Sequence, residues 1–237
     1  PRALPAADLL LKNSFSVISE VKRASPSKGH LSDIPDPASL AMAYQTGGAQ
    51  VISVLTEQRK FNGNLSDLDA VRRKVSIPIL RKDFMVDEYQ VWEARAHGAD
   101  VILLIVAGLS DSQLSELNHL ADELGMSVLV EVHDEPELHR ALVINPKLIG
   151  VNARNLKTLE VSLDVCHNLI PQIPDEILAI AESGISTTDQ VEALVLSGAR
   201  AVLVGEALVT GGTPAETVAE WTQAGIRARE KFLLNRS

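Results

Sequence analysis

Eight short apolar runs rich in Val, Ile and Leu recur along this chain about every 20 to 35 residues, and nearly every one closes on a charged or amide side chain: Glu20, Lys82, Glu131, Asn152, Glu182. Strands are expected over residues 16–20, 50–55, 77–81, 101–105, 127–132, 148–151, 177–181 and 201–204. Most of these runs are continuous rather than alternating, as in strands covered on both faces. Helical patterns fill the intervals at 37–46, 65–74, 88–97, 110–124, 135–143, 163–169, 188–196 and 214–229. Gly47-Gly48-Ala49, Gly98-Ala99-Asp100 and Gly198-Ala199-Arg200 repeat where a helix ends and the next strand begins. Eightfold alternation without a linker or a break in composition predicts an α/β chain folded as a single (β/α)8 TIM barrel, one domain over residues 1–237. In that fold the C-terminal strand ends share one mouth, so the polar residues closing the runs would surround a single ligand.

The remaining composition narrows the function. A length of 237 residues is close to the roughly 250 usual for such barrels. The longest apolar stretch, 101–109, is far short of the roughly 20 residues a membrane span needs, and no signal-peptide pattern opens the chain. A cytoplasmic protein without a membrane partner is expected. The lone Cys166 excludes an intrachain disulfide framework, fits a reducing compartment, and reads as a small buried hydrophobe on a helix. A net charge of −9 argues against nucleic acid as a partner. It leaves room for a small phosphorylated substrate, because local donors can outweigh the global field.

After the first run comes Glu20-Val21-Lys22-Arg23-Ala24-Ser25-Pro26-Ser27. Extended backbone puts Glu20 and Lys22 on one side, toward the barrel axis, while Ser25 and Ser27 offer hydroxyls and amides in a turn stiffened by Pro26. Lys82 at the end of the third run can act as a general acid or, if burial depresses its pKa, as a Schiff-base nucleophile. Asp83 beside it would hold the ammonium charged, and Phe84 would give a substrate ring an apolar face. Glu131 follows three apolar residues, where an unpaired carboxylate has little structural purpose, so proton transfer is expected. His133 and His139 lack the i,i+4 spacing of a helical zinc site, and no metal is expected. Asn152 and Arg154 share parity, an amide and a guanidinium suited to a carboxylate. Glycines at Glu182-Ser183-Gly184 and Val204-Gly205-Glu206, after the last two runs, mark the usual phosphate position of such barrels, with the Glu206 carboxylate expected to point away.

Read in order, Glu20 to Ser27, Phe61-Asn62-Gly63, Arg81-Lys82-Asp83-Phe84, Glu131, Gly150-Val151-Asn152-Ala153-Arg154-Asn155 and Ala181-Glu182-Ser183-Gly184-Ile185 together resemble the indole-3-glycerol phosphate synthase family of the tryptophan pathway, over nearly the whole chain. The resemblance implies a cofactor-free, metal-free ring closure of 1-(2-carboxyphenylamino)-1-deoxyribulose 5-phosphate, with loss of CO2 and water. It makes Lys82 the general acid on the ribulose carbonyl and Glu131 the main partner in later proton transfer, assisted by Glu20 and Lys22. Lys22 and Arg154 would lie near the substrate carboxylate, with Asn152 and Glu182 completing the polar wall. The phosphate is expected at Ser25, Ser183, Gly184, Gly205 and the Glu206 backbone, with Pro26, Phe61, Phe84, Leu156 and Leu203 as further substrate-binding positions. Other tryptophan-pathway enzymes are the partners it suggests. Family members usually carry an N-terminal helical segment over the mouth, expected to be largely absent here, and a fused isomerase is not expected.

The sequence also admits two rival readings. One is another phosphate-binding barrel, such as a Schiff-base aldolase using Lys82 or a phosphoribosyl isomerase. The other is a non-catalytic barrel serving as a scaffold.

Overall fold

The computed structural model describes residues 1–211 and 213–236. Eight parallel strands close into a barrel: β1 Ser16–Val21, β2 Val51–Leu55, β3 Ile79–Lys82, β4 Val101–Ile105, β5 Ser127–Val132, β6 Leu148–Asn152, β7 Leu178–Glu182 and β8 Ala201–Val204, with β8 pairing back to β1. A helix follows each strand, from Pro37–Thr46 after β1 to Pro214–Leu234 after β8. The expected strands match these to within two residues. Strand β3 starts at Ile79 rather than at 77 because Pro78 has no N–H for the ladder, and the Ile79 amide instead donates to Asp100 Oδ2 at 3.0 Å. The expected turn glycines Gly48, Gly98 and Gly198 all adopt positive φ, at 98°, 86° and 113°.

Strand parity divides the core in two. Ile18, Val51, Leu80, Leu103, Leu129, Leu148, Ile180 and Leu203 fill the barrel interior, while their neighbours Val17, Ile52, Ile79, Ile102, Val130, Ile149 and Val202 pack under the helices. The inward parity carries on to the C-terminal ends, where the side chains become polar. Register sets Leu55 beside Lys82, Ile105 beside Glu131 and Asn152 beside Glu182.

The other end of the barrel is closed by a helix the strand pattern did not reveal, Ala6–Lys12. Its Ala6, Ala7 and Leu10 join the interior cluster, and the Ala7 amide donates to Ser127 Oγ at 3.0 Å. Burying Leu10 alone contributes about 2 kcal/mol. The signal was present in Pro5-Ala6-Ala7 followed by Leu10 on the same helical face. It is short enough to pass for a tail.

Gly225, in the middle of Pro214–Leu234, is where that helix crosses the ring of Phe15, and a Cβ there would collide with the ring. Gly225→Ala gains about 1 kcal/mol of helix propensity but incurs about 1–3 kcal/mol of overpacking against a side chain that is itself buried. A lowered melting temperature is the expected result, checked by thermal unfolding; an increase would mean that Phe15 moves aside freely.

Candidate active site

The inward-facing strand ends converge on Lys82. Its ammonium lies 2.8 Å from Glu182 Oε2 and 3.3 Å from Glu131 Oε2, at the bottom of a cavity of about 410 Å³. Glu182 and Glu131 are 1% and 2% exposed, so three charges share a nearly dry space. Burial alone would lower the Lys82 pKa, but Glu182, Glu131 and Glu20 outweigh it and hold the group protonated. Burial would likewise raise Glu131, yet Lys82, His133 and Asn152 hold it down at about 2. Glu182 moves the other way. Burial and the neighbouring Glu131 push it up to about 7 against the pull of Lys82. Space for its carboxylate comes from Gly150 on the adjacent strand, where any Cβ would run into Glu182 Oε1.

Beside this triad, Glu20 receives a hydrogen bond from Ser53 at 3.1 Å and pairs with Lys22 at 3.1 Å. Gly205 leaves room for it, since a Cβ there would lie 2.8 Å from Glu20 Oε1 and 3.0 Å from its Cβ. Phe61, on the short helix Gln58–Phe61, and Phe84 face one another across 6.4 Å at an angle of 46°. They form an apolar wall at the mouth. On the opposite side, the loop after β6 folds back through an Arg154–Val161 bridge and brings Leu156 to the cavity. Ser25, Pro26, Leu203 and the Ser183-Gly184 and Gly205-Glu206 turns complete the lining. Of the residues singled out from the sequence as catalytic or substrate-binding, all but Ser27, which instead accepts from Arg154, border this one cavity.

Two details differ from the sequence reading. Asp83 does not hold Lys82; it accepts from Thr56 Oγ1 at 2.5 Å and from Arg81 at 3.1 Å. Arg81 has outward parity, and its guanidinium also reaches the Gln90 carbonyl and Glu93, tying β3 to the helix Glu88–Ala96. Glu206 is among the cavity-lining residues, and its carboxylate pairs with the exposed Lys28. Asn152 and Arg154 are not two free arms: Asn152 Oδ1 accepts from the Arg154 amide at 2.9 Å, and the guanidinium donates to Ser27 Oγ at 2.7 Å and to the Leu159 carbonyl at 3.1 Å. The sequence reading also missed His133 as a neighbour of Glu131. His139 is exposed on the helix Glu135–Val143. Cys166 is buried as expected, donates to the Val151 carbonyl at 3.3 Å, and has its thiol pushed up to about 12 by burial.

The family model for indole-3-glycerol phosphate synthase matches residues 3–220. The chain belongs to the indole-3-glycerol phosphate synthase family. Among its relatives, the indole-3-glycerol phosphate synthase of Rhodococcus jostii (strain RHA1) is 60% identical over 225 residues, covering 95% of this chain and 84% of that protein. That of Arthrobacter sp. (strain FB24) is 57% identical over 217 residues, covering 92% and 80%. Two solved structures share the fold at low identity. The 3-hexulose-6-phosphate synthase of Salmonella typhimurium superposes with a TM-score of 0.73 at 15% identity, over 90% of this chain and 100% of that one. The thiamine phosphate pyrophosphorylase of Pyrococcus furiosus gives 0.68 at 16%, over 92% and 98%. Indole-3-glycerol phosphate synthases are lyases of tryptophan biosynthesis acting on a phosphorylated small molecule. Among the described residues no helix is long and apolar enough to cross a membrane.

Proposed function

We propose that the chain converts 1-(2-carboxyphenylamino)-1-deoxyribulose 5-phosphate to indole-3-glycerol phosphate, CO2 and water by general acid/base catalysis, and that it does so in the cytoplasm. What supports the mechanism is Lys82, a protonated ammonium bracketed by two buried carboxylates in a cavity that also carries Lys22 and Arg154. An amine held charged is a poor Schiff-base nucleophile and a good hydrogen-bond donor to a carbonyl oxygen. The electrostatics therefore favour the acid role.

In this reading Lys82 gives its proton to the ribulose carbonyl oxygen as the ring carbon bearing the carboxylate attacks the carbonyl carbon. The C–C bond to the carboxylate then breaks, CO2 departs, and its electron pair restores the aromatic ring. Dehydration follows once Lys82 has regained a proton from solvent, the one proton taken up overall as the carboxylate leaves as CO2: a C–H proton passes to Glu131, the new hydroxyl takes the Lys82 proton and leaves as water, and Glu131 returns its proton to Lys82 as the indole is completed. Lys22 and Arg154 face the substrate carboxylate before it departs, and Phe61 and Phe84 flank the ring. The phosphate lies at Ser25 and the Ser183-Gly184 and Gly205-Glu206 turns. The experiment is the appearance of indole fluorescence when the purified chain meets this substrate in EDTA. Fluorescence that needs an added divalent ion would overturn the metal-free reading, and its absence under all conditions would overturn the function.

The pairing of Glu206 with Lys28 gives the phosphate site a test of its own. Lys28→Ala leaves the Glu206 carboxylate uncompensated beside the proposed phosphate position, so KM should rise by up to about fivefold, the scale of one exposed ion pair, with kcat little changed. Inorganic phosphate should compete with substrate at millimolar concentration. An unchanged KM together with non-competitive phosphate would place the phosphate elsewhere.

A further inference from the structure

His133 stands one alternation beyond Glu131 on the same side of the β5 end, outside the set of residues given a role above. Its Nδ1 lies 2.9 Å from Glu137 Oε2, and the same oxygen accepts from the His133 backbone amide at 2.8 Å. Its Nε2 lies 3.3 Å from Glu131 Oε1, the carboxylate oxygen that Lys82 does not contact. That nitrogen is buried and has no well-aligned hydrogen-bond acceptor. A ring held at Nδ1 by a helix carboxylate that also grips the residue's own backbone amide, with the other nitrogen aimed at a single carboxylate, is the arrangement that orients a reacting group.

Resting on the function proposed above, we infer that His133, anchored by Glu137, is the positioning residue that keeps Glu131 ionised and turned toward the substrate between proton transfers. Two cations then divide the Glu131 carboxylate: Lys82 on one oxygen and the His133 imidazolium on the other. The second is needed when the first is engaged. Once Lys82 has given up its proton to the substrate oxygen, it no longer stabilises a Glu131 anion, and His133 is the charge that remains. Burial would lower the His133 pKa, but Glu131 and Glu137 raise it to about 9, so the ring is charged through neutral pH. Its charged partners are Glu137, hydrogen-bonded at Nδ1, and Glu131, facing Nε2, and the 106–108 turn packed against β5 is uncharged.

The test is the pH dependence of kcat and KM, read by indole fluorescence for the wild type, His133→Gln and Glu137→Gln. Without the imidazolium, Glu131 becomes easier to protonate, so the acid limb of kcat should move up by about one pH unit in His133→Gln. Turnover on that limb should fall about tenfold, with KM within about twofold of the wild type. In Glu137→Gln the histidine loses one of the two carboxylates that raise it, so the alkaline limb should move to lower pH. This second variant carries the test if His133→Gln unfolds. Loss of turnover with both limbs unmoved would reduce His133 to a structural residue and overturn the inference, as would unchanged kcat across the range. A wild type that forms no indole would instead remove the functional reading on which the inference rests.

Discussion

Replacing Lys82 by alanine is expected to lower kcat by about 10² to 10⁴, the usual scale of general acid catalysis, with a smaller change in KM. The Lys82 side chain is 12% exposed and its ammonium lies between two carboxylates, so no solvent cation can take its place in that geometry. With it gone, Glu131 and Glu182 face each other across a dry gap, and one of them takes up a proton. The variant therefore loses an acid and alters its base in one step. Lys82→Arg separates the contributions. It keeps a positive charge, but guanidinium is too basic to donate a proton well, so substantial loss there points to proton donation rather than electrostatics alone. Single-turnover kinetics of both variants make the comparison, and near-native turnover in Lys82→Ala would move the acid role elsewhere, with Lys22 the next candidate.

Glu131→Gln should fail at a later point. The amide keeps the shape and one acceptor oxygen for Lys82 but cannot take a proton, so ring closure and CO2 loss continue while dehydration slows by about 10² or more. A non-indole intermediate that retains the hydroxyl should accumulate in a single turnover and be visible by mass spectrometry of quenched samples. Equal slowing of CO2 release and indole formation would mean that Glu131 acts at the first step. Glu182, pushed up to about 7 beside it, is the other carboxylate able to exchange a proton near neutral pH. Any residual dehydration in Glu131→Gln is assigned to it.

The barrel was legible because its signals are local and repeated. Continuous apolar runs, a glycine at positive φ before several of them and a polar residue at the ends of most recur from unit to unit, and parity extended from Ile18 to Glu20 and Lys22 already gives the direction of those side chains. Pairing choices were not legible, because they depend on which oxygen meets which nitrogen across strands. Asp83 adjoins Lys82 in sequence yet has the opposite parity, which sends it to Arg81 and Thr56. Lys82 finds Glu182 instead, a hundred residues later. The need for Gly150 was hidden for the same reason: the sequence shows a glycine inside a strand, and only the neighbouring strand shows the carboxylate occupying the space where its Cβ would be. His133 was overlooked because a metal site was the question asked of it, whereas its partners are carboxylates at i−2 and i+4.

Substrate carrying a ¹³C label in its carboxylate tests the central claim most directly. One equivalent of labelled CO2 for each indole-3-glycerol phosphate, formed in the presence of EDTA and lost together in Lys82→Ala, is the predicted result. Label retained in an organic product, or CO2 released at a normal rate by Lys82→Ala, would contradict it.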